Sequence, residues 1–475
     1  MRNGGYKMKE AIKKKMSMLQ IVGYGSGCLG ANLMNNTVSS FISFYYTEVA
    51  GLPIAAVGII LLACRLLDGV SDLVMGAVVE RTYTKEEKAR PWVKRMAIPF
   101  GLSIFLMFLS PSFGMTGKII WAVCTYIAGI AIIYTAVMVP YNTLSAVSTE
   151  DVDERTKLVT ARNMFGFVGP LMIGAISMPI VNFLGAGQFA WSVLTGIYGV
   201  LGALCYLWVY FSVKEVGAEE RYEEYLAKKD TQQTVAEKKE QKNLLDDLKA
   251  LIQNKYWLIV LFIQLVIFFN YGVKAGYQTY YTKYALGDTN FYSFLSSCGM
   301  IPNIAVCFMI PWLSKKFGKR RISVIGCFLA ILGGIVMAVN PVNRTLILVS
   351  TLLNCAGMAP ICNCAFAMLG DTAIYSEWKS GVRNEGLLFS AESFAEKVGG
   401  ALGGAAVAFA LSLGGFVGNA AVQTESAMAV MTGLMVWFPV AVAVICIIAL
   451  IFYDLDGKYD TLFAEVMERR NKSEK

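Results

Sequence analysis

Arg65, Asp68, Ser71 and Asp72 stand in the stretch RLLDGVSDLVMGAVVE, inside an apolar run that begins near Leu52. Their i,i+3 and i,i+4 spacings put all four on one face of a helix. Two carboxylates against one guanidinium leave a formal surplus of one negative charge. Asp68, Asp72 and the Ser71 hydroxyl are hard oxygen ligands of the kind Na⁺ takes, and either carboxylate could instead take a proton. The plainer reading is an Arg65–Asp68 pair that satisfies itself and only braces neighbouring helices.

Other polar groups interrupt apolar stretches. Lys397 lies in SAESFAEKVGGALGGA beside Gly399, Gly400, Gly403 and Gly404, glycines that would let helices approach closely. A lysine there could counter the surplus charge near Asp68, or snorkel to a membrane surface. Arg162, in LVTARNMFGFVG, reads as a donor to an anion or a sugar hydroxyl, or as a basic anchor. Asn32, Asn35 and Asn36 could bond sugar hydroxyls or join helices. The Tyr45-Tyr46 pair reads as an interfacial aromatic belt. The chain has no His and no CxxC, and its 11 Cys sit largely in apolar runs as packing residues. With no nucleophile motif, no metal-ligand cluster and loops too small for a catalytic domain, an enzyme is not expected, nor a cofactor, nor a nucleic-acid partner.

The elements that carry these residues follow from hydropathy. Of the 475 residues, 56% are hydrophobic and 16% charged, against about 25% charged in soluble domains. Apolar windows of about 20 residues predict twelve membrane-spanning helices, at 20–48, 53–79, 92–113, 117–144, 157–185, 188–213, 256–284, 290–314, 321–340, 344–374, 384–413 and 427–453. If the second enters near Pro53, Asp68 and Asp72 lie about 22 and 28 Å deep. Each charge there costs about 2.5–3.5 kcal/mol on the insertion scale, so it must pair or face a polar interior. With these spans, 36 of the 42 Lys and Arg fall on one side and four (Lys118, Lys274, Lys283, Arg344) on the other. That asymmetry places both termini and the central loop in the cytoplasm. The basic N-terminus leads into a span without a small-residue cleavage pattern, so it is expected to be retained.

The organisation reads as six plus six: a bundle over 1–213, a charge-mixed cytoplasmic linker over 214–255, and a bundle over 256–475 with a short tail. Each half has a basic loop after its second span, ERTYTKEEKARPW in one and LSKKFGKRR in the other. The expected class is an all-α membrane protein of two pseudo-symmetric six-helix bundles, a duplicated transporter of the major facilitator type.

RLLDGVSDLVMG followed by a charged loop and RPW, GYGSGCLGANLMNNTVSSFISFYYTEVAGL, MVPYNTLSAVSTEDVDERTKLVTARNMFG and GDTAIYSEWKSGVRNEGLLFSAESFAEKVGGALGGA together span nearly the whole chain. In combination they resemble the melibiose permease-like glycoside–pentoside–hexuronide:cation symporter family of the major facilitator superfamily. The resemblance implies a cation site of Asp68, Asp72, Ser71 and Thr135, with Arg65 and Lys397 in charge pairing. It implies a substrate set of Asn32, Tyr134, Met138, Asn142, Arg162 and Ser393. Asn32 and Met138 stand where galactoside-carrying members have Asp, and Asn142 where they have a stacking Trp, so this chain departs from the galactoside pattern. Fewer carboxylates around a retained Arg162 would suit a hexuronide; a neutral pentoside or oligosaccharide is the other candidate.

The function expected is Na⁺- or H⁺-coupled symport of a sugar, glycoside or hexuronide by alternating access, in the bacterial plasma membrane, by a monomer whose partners are sugar, monovalent cation and membrane lipid. The rivals are a same-fold carrier of a lipid or other amphiphile, and a sugar facilitator or exporter without cation coupling. A cation channel is disfavoured, because no Gly-rich carbonyl filter is visible.

Overall fold

The computed structural model describes residues 16–80, 82, 84, 87–149, 151–215, 253–380 and 385–473. The expected basic N-terminal segment and almost all of the expected 214–255 linker lie outside these residues. Long helices dominate, and no strand occurs among the described residues. They are α1 (Met18–Glu48), α2 (Ile54–Glu80), α3 (Arg90–Met107), α4 (Met115–Tyr126), α5 (Thr135–Val147), α6 (Val152–Phe183) and α7 (Gln188–Ser212). After residue 253 come α8 (Lys255–Tyr284), α9 (Asn290–Phe317), α10 (Lys319–Val339), α11 (Arg344–Ser380), α12 (Glu385–Leu413), α13 (Glu425–Ile451) and α14 (Tyr459–Ser473). A π-helical segment, Ile127–Tyr134, joins α4 to α5 without a break.

Among the described residues, ten helical stretches are long and apolar enough to cross a membrane, against the twelve expected. The two that fall short have compositional reasons. In α1, Gly, Ser, Thr and three Asn interrupt the apolar residues, and α3 opens with Arg90, Lys94 and Arg95. Two ends differ from expectation by six residues: α3 stops at Met107, ahead of the SPSFG turn, rather than at 113, and α11 runs on to Ser380 rather than ending at 374; the other boundaries fall within five residues. The tail beyond α13 is helical: α14 packs on the end of α11, where the Trp378 indole donates to Glu465 (2.7 Å) and Arg469 to the Trp378 carbonyl (2.9 Å).

Pairings repeat across the chain. In α1–α7, the first helix packs on α6 and α7, α2 on α5, and α3 on α5 and α7. In α8–α13, α8 packs on α12 and α13, α9 on α11, and α10 on α11 and α13. The matching basic loops share a device as well. The Glu215 carboxylate, beyond α7, accepts the backbone N–H groups of Lys88 (3.0 Å) and Ala89 (2.6 Å) at the start of α3. Asp456, beyond α13, accepts the N–H of Arg320 (2.7 Å) at the start of α10. Each carboxylate satisfies donors that a helix N-terminus leaves open and opposes its positive dipole end. In the first loop Glu87 pairs with Arg90 at 2.9 Å; burial raises the Glu87 carboxyl above its usual value, and Arg90 opposes the rise.

Contacts between the two sets run through α2 with α12, α6 with α9, and α1 with α8. Glycine makes the approach of α12 to α8 close, since a Cβ on Gly399 or Gly403 would strike the Leu265 or Phe269 carbonyl. The crossing side-chain bonds concentrate at the end where α1 and α8 finish. Tyr280 bonds Ser43 (3.2 Å) and Thr47 (2.7 Å), Asn182 donates to Thr289 (2.7 Å) and Asn290 (2.8 Å), and Lys283 pairs with Glu48. One expectation changes here. Tyr45 is buried against Trp191 and Phe108, and Tyr46 is buried beside it with its hydroxyl donating to the Ala122 carbonyl (3.4 Å), so the two do not lie in a surface belt. Lys274, inside the predicted 256–284 span, lies in α8 with its amine 3.3 Å from the Cys355 sulfur.

Candidate functional site

Segregation along α2 aims its acids inward. Leu66, Leu67, Val70 and Val74 are exposed on one face, while Ile60, Leu61, Cys64, Asp68, Met75 and Val79 are buried on the other. In a bilayer the first face meets acyl chains, so Asp68, at 2% exposure, points into protein.

Three elements converge on that point. From α2 come Asp68, Ser71 and Asp72. The π-helical segment, a feature frequent at functional sites, ends at Tyr134, and the next residue, Thr135, is fully inside. Its hydroxyl lies 3.2 Å from Asp68 Oδ1 and 3.0 Å from Asp72 Oδ1. It donates to one carboxylate at a time, and its lone pairs stay within the cluster. The Ser71 hydroxyl donates to the Asp68 carbonyl (2.8 Å) and stands 3.3 Å from Thr135 Oγ1. From α12, on the other set of helices, comes Lys397, which pairs with Asp72 and lies 3.5 Å from Asp68 Oδ2. Asp72 is 35% exposed and Asp68 3% at the side chain, so one carboxylate faces the opening and the other the interior.

The partner of the carboxylates is therefore Lys397, and the Arg65–Asp68 pair read from the helical spacing does not form. Arg65 donates instead to Asn35 (3.4 Å) and Ser39 (3.2 Å) on α1. An i,i+3 spacing lets two side chains meet but does not oblige them to; a second helix offering amide and hydroxyl acceptors diverts the guanidinium. Among the direct ion pairs, two acids share one base, Lys397, while the Arg65 guanidinium on the same face of α2 turns to α1.

The residues assigned to substrate are spread around this centre. On α1, Asn32 accepts from Asn36 (2.8 Å) and donates towards the Gly166 carbonyl (3.5 Å), while Gly169 leaves no room for a Cβ beside it. Tyr134, the last residue of the π segment, and Met138 are half-buried and Asn142 is exposed, in successive turns. Arg162 is half-buried on α6, a turn from where Phe165 meets Gly25 of α1. Ser393 is exposed on α12, one turn before Lys397.

Two acids escaped weighing in the sequence. Glu392 is 5% exposed, with Oε1 unpartnered, and Glu396 sits next to Lys397. The available signal was the same one that exposed Asp68: a carboxylate in an apolar span. No group of three or more His, Cys, Asp or Glu converges as for a transition metal among the described residues. The oxygen set of two carboxylates and two hydroxyls is chemistry for a hard monovalent ion or a proton.

Comparison with known proteins identifies the family. A family model described as MFS/sugar transport protein matches residues 23–457. An isoprimeverose transporter of Lactiplantibacillus pentosus is 30% identical over 452 residues, covering 94% of this chain and 90% of that protein. An inner membrane symporter of Escherichia coli (strain K12), YicJ, is 27% identical, covering 93% and 92%. Among solved structures, a D-xylose-proton symporter superposes with a TM-score of 0.62 at 15% identity over 92% of this chain and 96% of that one, a likeness of fold. These relatives are transporters and not enzymes, and the apolar helices make this a multi-pass protein of the bacterial inner membrane. The chain belongs to the sugar-transport family of the major facilitator superfamily, within its glycoside–pentoside–hexuronide:cation symporter group.

Proposed function

We propose that this protein is a cation-coupled sugar symporter in which Asp68 and Asp72 hold Na⁺ or a proton, assisted by Thr135 and Ser71. The observation that carries the reading is one lysine, delivered by the opposite set of helices, set against two carboxylates. Lys397 neutralises one charge, and a travelling cation would neutralise the other. Coupling requires the cation to bind one conformation better than another. A site whose ligands come from α2 and α5, and whose competing base comes from α12, meets that requirement, because separating the two sets withdraws Lys397 and leaves two bare carboxylates. In this reading α1 and α3 also cross the bilayer, giving twelve spans with both termini cytoplasmic. Residues 1–213 and 256–475 then rock as two bundles joined by the 214–255 linker, the chain working as a monomer. Sugar binds beside the cation among Asn32, Tyr134, Met138, Asn142, Arg162 and Ser393, and the name of an Escherichia coli relative, a putative glycoside/cation symporter, supports a glycoside.

A second reading has its own observation. Lys397 already touches both carboxylates, and as a tethered cation it could make the protein a facilitator that needs no ion. Uptake by reconstituted protein separates the two. Symport requires sugar accumulation under an inward Na⁺ or proton gradient and none without it. Equal equilibration in both conditions would leave only facilitated diffusion.

A further inference from the structure

Another basic group lies among the helices, away from Asp68 and Asp72. Lys274 sits on α8, about 15 Å inside its Tyr284 end. An ammonium at such a depth is costly, about 2.5–3.5 kcal/mol on the insertion scale, unless it is paired or hydrated. Lys397 finds Asp68 and Asp72. Lys274 finds no carboxylate among the described residues; its side-chain partner there is the Cys355 sulfur at 3.3 Å, a weak acceptor.

The amine borders a cavity of about 30 Å³ between α8, α10, α11 and α13. Asn270, Lys274 and Gln278 stand at i, i+4 and i+8 of α8, so one helix face lines it. Ser350, Thr351 and Asn354 of α11 line it as well. Close packing holds α10 against its neighbours here: a Cβ on Gly333 would strike the Ser350 carbonyl of α11, and one on Gly334 the Val440 side chain of α13. Asn270, Gln278, Ser350 and Thr351 are more than nine-tenths buried. Among the described residues, the side chains of these four and of Asn354 make no hydrogen bond to protein, yet their polar atoms keep accessible surface. They are therefore open to whatever occupies the cavity, and that occupant must supply the bonds that burial would otherwise forfeit.

Charge, donors and size define the occupant. The lining holds one fixed positive charge and no acid, so a cation is repelled and water alone leaves the ammonium uncompensated. Amide N–H groups and hydroxyls add donors to the ammonium, and donors to an anion form the stronger class of hydrogen bond. A water needs about 10–15 Å³ of such space, so the cavity takes a monatomic ion and excludes a sugar ring.

We propose that Lys274, with Asn270, Gln278 and Asn354, binds one halide-sized monovalent anion within α8–α13. The site is separate from the cation and substrate residues and holds whether or not sugar transport is ion-coupled. The bound anion neutralises Lys274 and ties α8 to α11.

The test uses the full-length protein in neutral detergent, melted in sodium chloride, sodium bromide and sodium gluconate at equal ionic strength, gluconate being too large for the cavity. Chloride and bromide should raise the melting temperature saturably above its value in gluconate. Chloride NMR line width should broaden with wild-type protein and narrow again on addition of bromide. Lys274→Gln should abolish both effects. Asn354→Leu should raise the half-saturating chloride concentration about ten-fold, the usual weight of one hydrogen bond to a charge. Equal melting of the wild type in chloride and gluconate would overturn the site, as would a halide shift that persists in Lys274→Gln. The line width is read on the wild type, so it decides the matter even where a variant does not fold: broadening that bromide fails to reverse means loose association with surface lysines and no site.

Discussion

Two lysine–carboxylate contacts join α1–α7 to α8–α13, and they are built differently. At the end where α1 finishes, Glu48 is one acid served by several donors: Lys283, the Tyr284 hydroxyl at 2.8 Å and the Asn419 backbone N–H at 3.2 Å. Its side chain is 2% exposed. Mid-helix, two acids share Lys397 and the Thr135 hydroxyl, and Asp72 is a third exposed. The first contact is saturated and closes a seam. The second is short of positive charge and open on one side, the condition under which a mobile ion gains by entering. A buried pair is weak evidence for stability; the count of acids and donors around it says more about its use than the pair itself.

The comparison can be broken most sharply at Asp72. Asp72→Asn removes one of the two carboxylates, and cation-driven accumulation of sugar should fall about 30-fold, the equivalent of about 2 kcal/mol for losing one charged ligand of the ion. Binding of sugar, measured calorimetrically, should survive. Intact accumulation would remove the central site from the coupling mechanism.

Lys397→Met tests the opposite charge. Freed of its competitor, the two-acid centre should bind its cation about ten-fold tighter, roughly 1.4 kcal/mol, while turnover in proteoliposomes drops because the ion no longer leaves. An unchanged cation Kd would mean that Lys397 does not compete.

At the saturated contact, Glu48→Gln should leave cation affinity alone and loosen the seam. Lys283 is partly exposed, so the expected shift is small, about 1 kcal/mol or roughly five-fold in the opening equilibrium. Hydrogen exchange at the outer turns of α1 and α8 reads it, and faster exchange confined to the central cluster would reverse the assignment of the two sites. The smallest effect is expected from Thr135→Val, an isosteric loss of one hydroxyl. It should weaken the cation about three-fold, within the usual net value of a hydrogen bond, in a titration of uptake against ion concentration.

How far the site was legible depends on distance along the chain. Asp68, Ser71 and Asp72 lie within one turn and a half of a single helix, so their shared face follows from helical periodicity alone. Their inward aim follows from the cost of exposing carboxylates to lipid. Lys397 was readable as an intramembrane base, but its landing on Asp72, 325 positions away, depends on how α12 crosses α2. Thr135 came from family resemblance; the π segment that sets its direction has no evident signature in IAGIAIIY. Arg65 shows the limit of local reasoning, because its nearest acid along the helix lost to Asn35 and Ser39 of another helix.

Composition and periodicity by themselves determined that this chain is a bundle of membrane helices, roughly where each begins and ends, and that charge buried in the second must be compensated. Those features are set by transfer of side chains and backbone between water and hydrocarbon, which each segment meets nearly independently of the others. Only the tertiary structure decided which base meets the two acids and that Glu48 is served by several donors while Asp68 and Asp72 share Lys397 and Thr135. Those outcomes turn on side chains from distant segments meeting within about 3 Å, and no pattern confined to one segment encodes where another will pass.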